Sequence, residues 1–224
     1  MNNENLSKQI QILINQFNLK NYDHVISKGS LLIKKNPEYV ILHNLVGSAY
    51  QNSGNYISAK LNFKNGIKLD PNNIALINNM GLSHKNLLEY DMADRLFNKA
   101  LELNDTYINA YINLGNLKRD LNKFDEAIKL YEKALSISNQ NPVVSYSLAL
   151  AHQGIGDFEK SIFYSKLTLK IDPNFTRADH LISQSKKYDI KDSHYLELKQ
   201  KINNFDSDNL GKIDIYFSLA KAEE

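Results

Sequence analysis

The 224 residues suit one or two domains, and they contain only 9 Gly and 4 Pro, about half the usual share, which excludes the turn-rich all-β folds. A hydrophobic content of 42% supports a packed core rather than disorder, and the absence of Cys removes disulfide frameworks, thiolate zinc sites and cysteine nucleophiles. The formal net charge of +2 is too balanced to point to nucleic acid or an anionic membrane, and neither is expected as a partner.

In chain order, Met1 to Asn5 is polar and lacks the basic and apolar blocks of a secretory leader. The apolar stretch Ile10 to Phe17 is interrupted by Gln and Asn well short of a membrane span, so a cytoplasmic chain is expected. Residues 6–39 hold only Tyr22 and Pro37 of a register that then becomes plain, and 1–39 reads as a degenerate N-terminal unit or cap. Pro37 and Pro71 are 34 residues apart, and Pro173 lies three further periods along. Gly47, Gly81 and Gly115 keep the same step, as do Tyr22, Tyr56, Tyr90, Phe124 and Phe158; Gly54 and Gly156 are three periods apart. Apolar columns follow, among them Val46, Met80, Leu114 and Leu148, and Ile67, Leu101, Leu135 and Leu169. Self-similarity at this period predicts a repeat array.

Each period reads as two helices. Leu42, Leu45, Val46, Ala49 and Tyr50 fall on one face of a helix over 40–53. Asn52 to Asn55 makes a turn, and a second stripe of Tyr56, Ala59, Phe63 and Ile67 stops at Asp70-Pro71. Neither helix can bury its stripe alone, so neighbouring units must stack. The units are 40–73, 74–107, 108–141 and 142–175. Gly47, Gly81, Gly115 and Ala149 sit mid-helix, where Gly costs up to about 1 kcal/mol against Ala, and predict a neighbouring helix backbone passing close. Ala59, Ala93, Ala127 and Ser161 form a matching small column, and Phe63, Phe97 and Tyr131 fill the larger gaps. After Pro173 one more first helix is expected over 176–187, then a helix from His194 to Phe205, a polar turn from Asp206 to Gly211, and a last stripe of Ile213, Tyr216, Phe217, Leu219, Ala220 and Ala222. That stripe reads as a first helix without its partner, so 176–224 is expected to be a helical extension truncated mid-repeat, a natural capping helix being the alternative.

Val46-Gly47, Tyr50, Gly54, Tyr56, Ala59, Phe63 and Pro71, with Gly66 in place of Ala, resemble the tetratricopeptide repeat (TPR). The large residue usual at the fourth position varies here (His43, Ile77, Tyr111, Ser145), and Trp is absent. The resemblance implies an all-α, right-handed superhelical TPR solenoid of antiparallel helix pairs whose first helices line a concave face. Read in register, the outward columns of those helices are Leu45, Asn79, Asn113 and Ser147; Asn44, Asn78, Ile112 and Tyr146; Ser48, Leu82, Asn116 and Leu150; and Gln51, Lys85, Arg119, Gln153 and Lys187. An Asn amide donates and accepts at once, so a ladder of them can hold an extended peptide backbone at about 0.5–1.5 kcal/mol per bond. Asn79 and Asn113 stand where the TPRs of the nucleocytoplasmic O-linked N-acetylglucosamine transferase carry such a ladder. The peptide-binding candidates are Asn44, Asn78, Asn79, Lys85, Asn113, Asn116, Arg119 and Tyr146, with the basic column favouring an acidic partner. The competing explanation is compositional: 29 Asn in 224 residues put amides on every surface. The chaperone-tail clamp of some TPR domains needs Lys where this chain has Asn44, Asn78 and Ile112, so that ligand is disfavoured.

Nothing in the sequence reads as catalytic. His84 and His152 share a repeat position two units apart, and His24, His43 and His180 lack partners at ligand spacing. Glu102, Asp105, Asp125 and Glu126 lie at helix ends without the pairing that acid–base work needs. Gly154-Ile155-Gly156 is an inter-helix turn, not a dinucleotide loop. No metal, cofactor or catalytic residue is expected, and the favoured function is an interaction scaffold. Two alternatives stand beside it. Lys187-Tyr188, Asp192-x-His194 and Lys212 to Glu224 resemble the junction of bacterial TPR–sulfotransferase proteins, although Ala220 stands where that family more often has Gly. That resemblance implies an acceptor-recognition module preceding a sulfotransferase domain that uses a phosphoadenosine-phosphosulfate donor. Self-association through the last helix is expected if Tyr216, Phe217 and Leu219 are exposed.

Overall fold

The computed structural model describes residues 3–189, 191–203 and 210–223. Among these the regular structure is helical throughout. The helices are α1 (Asn3–Asn18), α2 (Tyr22–Lys35), α3 (Val40–Asn52), α4 (Tyr56–Leu69), α5 (Ile74–Asn86), α6 (Tyr90–Leu103), α7 (Ile108–Asp120), α8 (Phe124–Ile137), α9 (Pro142–Gly154), α10 (Phe158–Ile171), α11 (Thr176–Ser185), α12 (Ser193–Asn203) and α13 (Leu210–Glu223). From α3 to α10 their lengths alternate strictly, 13 residues for each first helix and 14 for each second. The fold is an all-α solenoid of helix pairs.

The turn inside each pair is one backbone structure used five times. Lys20, Gly54, Leu88, Asn122 and Gly156 have φ of 59°, 84°, 61°, 58° and 80°, and they stand 34 residues apart. Only the two glycines announced this left-handed conformation in the sequence; a side chain there works against it, and the surrounding helices hold it nonetheless. Several Asn are helix caps: the Asn55 side chain accepts from Ser58 N, Asn73 from Leu76 N, and Asn141 from Val143 N and Val144 N ahead of Pro142.

The chain divides into two compact units, Met1–Leu117 and Lys118–Glu224. In the first, Leu6, Ile10, Leu13, Leu32 and Leu42 form one core cluster, and Ala59, Phe63 and Leu76 another. The expected close approach at the mid-helix glycines is real, but a ring makes it and not a helix backbone. A Cβ on Gly47 would stand 2.6 Å from the Phe63 ring, and one on Gly81 would stand 2.8 Å from Phe97. Phe63 and Phe97 each lie in the notch that the partner helix's glycine leaves open.

In the second unit Tyr131 replaces that Phe and is fully buried. Burial pushes its phenol well above the ordinary tyrosine range. Ser145 and Thr168 share a hydroxyl–hydroxyl bond of 2.9 Å inside the α9–α10 seam. The tail departs from the sequence reading in two ways among the described residues. α11 ends at Ser185, not Lys187, because the Ser183 and Ser185 hydroxyls turn back onto the carbonyls of His180 and Leu181 while Lys186 swings to Asp192. α12 is described over Ser193–Asn203; its expected end at Phe205 and the turn residues 206–209 lie outside the described residues. Gly211 is helical, inside the first turn of α13.

α13 runs alongside α11 in the same direction. Thr176 Oγ1 donates to Asp214 Oδ2 at 2.7 Å, start to start, and His180 meets the Phe217 ring with centroids 6.1 Å apart. α12 lies antiparallel to α13, with Tyr195 near its start bonded to Glu223 at the end of α13. A buried polar cluster holds α12 down. Asp179 on α11 is fully enclosed; His194 Nε2 donates to its Oδ1 at 3.1 Å, and Lys201 Nζ donates to both its oxygens at 2.9 and 2.7 Å. The Tyr188 hydroxyl and His194 Nδ1 are 2.6 Å apart, which completes the chain.

Candidate functional site

In the first unit the candidate face is carried by α3, α5 and α7, the first helices of successive pairs. Asn44 lies on α3, Asn78 and Asn79 on α5, and Asn113 and Asn116 on α7. Four of these side chains form one continuous hydrogen-bonded chain. Asn113 Nδ2 donates to Asn78 Oδ1 at 3.0 Å, Asn78 Nδ2 to Asn79 Oδ1 at 3.3 Å, and Asn79 Nδ2 to Asn44 Oδ1 at 3.1 Å. The spacing explains it: residues one period plus one apart are neighbours across adjacent first helices, so an amide at each of these positions meets the next.

This changes the chemistry the face offers. An amide has two N–H donors and one oxygen. Each link uses one N–H and occupies one oxygen, so what remains outward is mainly donor: both hydrogens of the Asn44 amide and one each from Asn79 and Asn113. Gln51, two turns after Asn44, follows the same rule, since its Oε1 accepts the Ser83 hydroxyl at 2.7 Å and its amide nitrogen is left. Asn78 is the enclosed link, only 3% exposed, while Asn44, Asn79 and Asn113 are half-buried. Lys85, half-buried on α5, adds a cation one period on from Gln51, and Asn116 is half-buried on α7.

The other candidates lie in the second unit, where the columns change character. Arg119 Nη2 reaches its neighbour Asp120 Oδ1 at 3.4 Å. Tyr146 packs on Phe175 with ring centroids 4.9 Å apart, and the Arg177 guanidinium lies 5.6 Å from the Tyr146 centroid and 5.1 Å from that of Phe175. Burial raises the Tyr146 phenol above its usual range. Ser147, next in the Asn79 and Asn113 column, is buried and donates to the Val143 carbonyl at 2.8 Å. Gln153 bonds Gln184 on α11 at 3.5 Å.

The comparisons with known proteins bear on the repeat and the fold. Residues 41–73 match the family model of the tetratricopeptide repeat, and residues 80–184 match that of the tetratricopeptide repeat protein 21 C-terminal ARM domain. These are tetratricopeptide repeats. Among solved structures, the thermophilic TPR protein TTC0263 of Thermus thermophilus is 15% identical with a TM-score of 0.72, over 80% of this chain and 97% of that one. PilF of Pseudomonas aeruginosa is 16% identical with a TM-score of 0.70, over 96% and 97% of the two chains. MamA from Desulfovibrio magneticus RS-1 is 17% identical with a TM-score of 0.58, over 82% and 94%. At these identities the likeness speaks for the fold alone. No curated protein matches the chain.

Within the TPR array the histidines have local employment. His84 and His152 each face an acid five residues on, at the N-cap of the following helix. His84 Nδ1 contacts Glu89 Oε2, whose carboxylate also takes Lys60 Nζ at 2.9 Å on each oxygen; that lysine chiefly holds Glu89 below the ordinary carboxylate range. His152 Nδ1 lies 3.5 Å from Asp157 Oδ2 and stacks on Tyr164, and burial pushes its imidazole below its usual value. His194, which repeat periodicity could not single out, anchors the Asp179 cluster. Among the described residues no group of three His, Cys, Asp or Glu is placed to hold a metal ion, and no helix is long and apolar enough to cross a membrane. The tail residues that resemble a sulfotransferase junction are occupied in packing: Tyr188 bonds His194, and Asp192 Oδ1 accepts from His194 N at 2.9 Å.

Proposed function

We propose that this TPR chain is an interaction module that holds an extended segment of a partner protein on the asparagine-lined face of α3, α5 and α7. The observation that carries the reading is the directed amide chain from Asn113 to Asn44. It fixes four side chains in place before any ligand arrives, so binding costs little ordering, and it leaves a row of N–H donors that suits the carbonyl oxygens of an extended backbone. Specificity for sequence is not required of such a row. Lys85 tilts the preference toward segments that also bring a carboxylate.

The test is a calorimetric titration of the full chain with an extended peptide recovered from it by display selection. Asn79→Ala with Asn113→Ala removes two donors, each contributing about 0.5–1.5 kcal/mol, so affinity is expected to fall roughly 5- to 150-fold while the helical circular dichroism is unchanged. Unaltered affinity in the double variant would sink the reading.

A second reading, self-association through α13, is favoured by a specific observation. Tyr216 and Phe217 are 57% and 62% exposed, and Ile213 beside them is also exposed; Leu219 is half-buried. The reading as a sulfotransferase's acceptor-recognition module keeps the tail resemblance as its support, and the motif residues Tyr188, Asp192 and His194 have structural duties that account for them without it.

A further inference from the structure

The first helix pair carries a surface that the peptide-binding reading does not use. Ile12 on α1 stands 34 residues before Val46 and 136 before Leu148, in the column those residues occupy, and both of them are fully buried. Val46 is covered by the second helix of the pair before it, where Gly29 of α2 closes onto its methyl group. Ile12 has no such cover and is 54% exposed. Leu31 on α2 is 50% exposed beside it, and together they wall an open groove of about 310 Å³ between α1 and α2, floored by Leu13 and Leu32. On this pair the two side chains therefore present an apolar trough at the surface.

The rim of the trough has one sign of charge. His24, Lys28 and Lys35 line it from α2, and no acid is among the lining residues. Glu4, two turns before Ile12 on α1, is tied to Lys8 at 3.1 Å. The three basic residues are four and seven positions apart, so they mark one stripe about 16 Å long at 1.5 Å per residue. A basic stripe beside an apolar trough of helical length complements a helix with leucine-like side chains on one face and carboxylates along its edge.

We infer that the α1–α2 groove docks an amphipathic helix of a partner protein, seated where a second TPR helix would lie, with its carboxylates on His24, Lys28 and Lys35. The surface is separate from the asparagine face, so the chain has two independent binding sites of different chemistry.

The test uses the full chain and helical peptides of about 16 residues that share one leucine stripe and differ only in flanking it with Glu, Gln or Lys. Fluorescence anisotropy is expected to show the Glu peptide binding at least about tenfold more tightly than the Gln peptide, with the Lys peptide weakest. Lys28→Glu with Lys35→Glu, both exposed and so harmless to folding, is expected to reverse the order. Ile12→Asp is expected to abolish binding, and Asn79→Ala with Asn113→Ala to leave it unchanged. Equal affinity for the three peptides, no binding of any, or an order that survives charge reversal overturns the inference. So does a dimer in sedimentation that Ile12→Asp dissolves, which would make a second copy the occupant.

Discussion

At the scale of single residues, two side-chain environments make quantitative demands. Gly47 is mid-helix, where Ala would normally gain about 1 kcal/mol. The Phe63 ring fills the space a methyl group needs, and overpacking of this kind costs about 1–3 kcal/mol. The ring is buried on all sides and cannot yield, so Gly47→Ala is expected to lower the urea midpoint despite its better helix propensity. A raised midpoint would show that the seam has slack. His152 sets a pH limit. Burial lowers its imidazole below the ordinary 6.5, so the unfolded chain takes up a proton that the folded chain refuses. Of the charged groups facing it, Asp157 and Glu132 only partly offset this, and Lys160 adds to it. Stability is therefore indifferent to His152 at neutral pH and above, and declines as pH falls below about 6.5. Asp157, held low chiefly by the Lys160 N–H, adds a further loss at more acid pH as its carboxylate is protonated. Melting temperatures followed downward from neutral pH are expected to drop less steeply in His152→Gln than in the native chain.

At the scale of elements, what could be read from the sequence depended on whether a position repeats. The helices α3 to α10 follow from columns such as Tyr56, Tyr90, Phe124 and Phe158, because one packing problem is solved four times and each solution corroborates the others. The face amides were legible as positions but not as a connected chain, since the bonds run between residues 35 apart and a reading in strict 34-residue columns looks one place to the side. Composition also hid the division of labour among asparagines: Asn55, Asn73 and Asn141 cap helices, while Asn44, Asn78, Asn79 and Asn113 bond one another. The tail was least legible. The Asp179 cluster joins residues 15 and 22 positions apart that occur once, so no periodicity marks it. Its weight is testable. Asp179→Asn takes the counter-charge from Lys201 and the carboxylate acceptor from His194, and losing one member of a buried pair typically costs about 3–5 kcal/mol. Partial exposure of Lys201 brings the expected loss to about 2–4 kcal/mol. Amide exchange in α12 is expected to accelerate first, and unchanged protection there would mean that Leu198 and Tyr195 hold the helix by apolar packing alone.

At the scale of the molecule, a net charge of +2 offers little long-range repulsion between copies. An exposed aromatic stripe on α13 is then free to act. Sedimentation across a concentration series is expected to show reversible growth in mass, and Tyr216→Asp with Phe217→Asp is expected to hold the chain monomeric, since both side chains are more than half exposed and Phe217 gives up only its edge contact with His180. A native chain that stays monomeric at every concentration removes self-association as a reading of this helix.

The five left-handed turns have an implication for how such a chain changes length. Lys20, Gly54, Leu88, Asn122 and Gly156 share this left-handed turn although Lys, Leu, Asn and Gly have no side-chain chemistry in common, so the joint is specified by the helices on either side and not by the residue inside it. A cut made at any two of these joints yields ends of identical geometry. Whole cassettes can therefore be lost, doubled or exchanged by recombination without a mismatched seam, and the joint residue is left to drift. The number of units in this array is a variable that its architecture leaves open to inheritance, while the bend inside each of them is not.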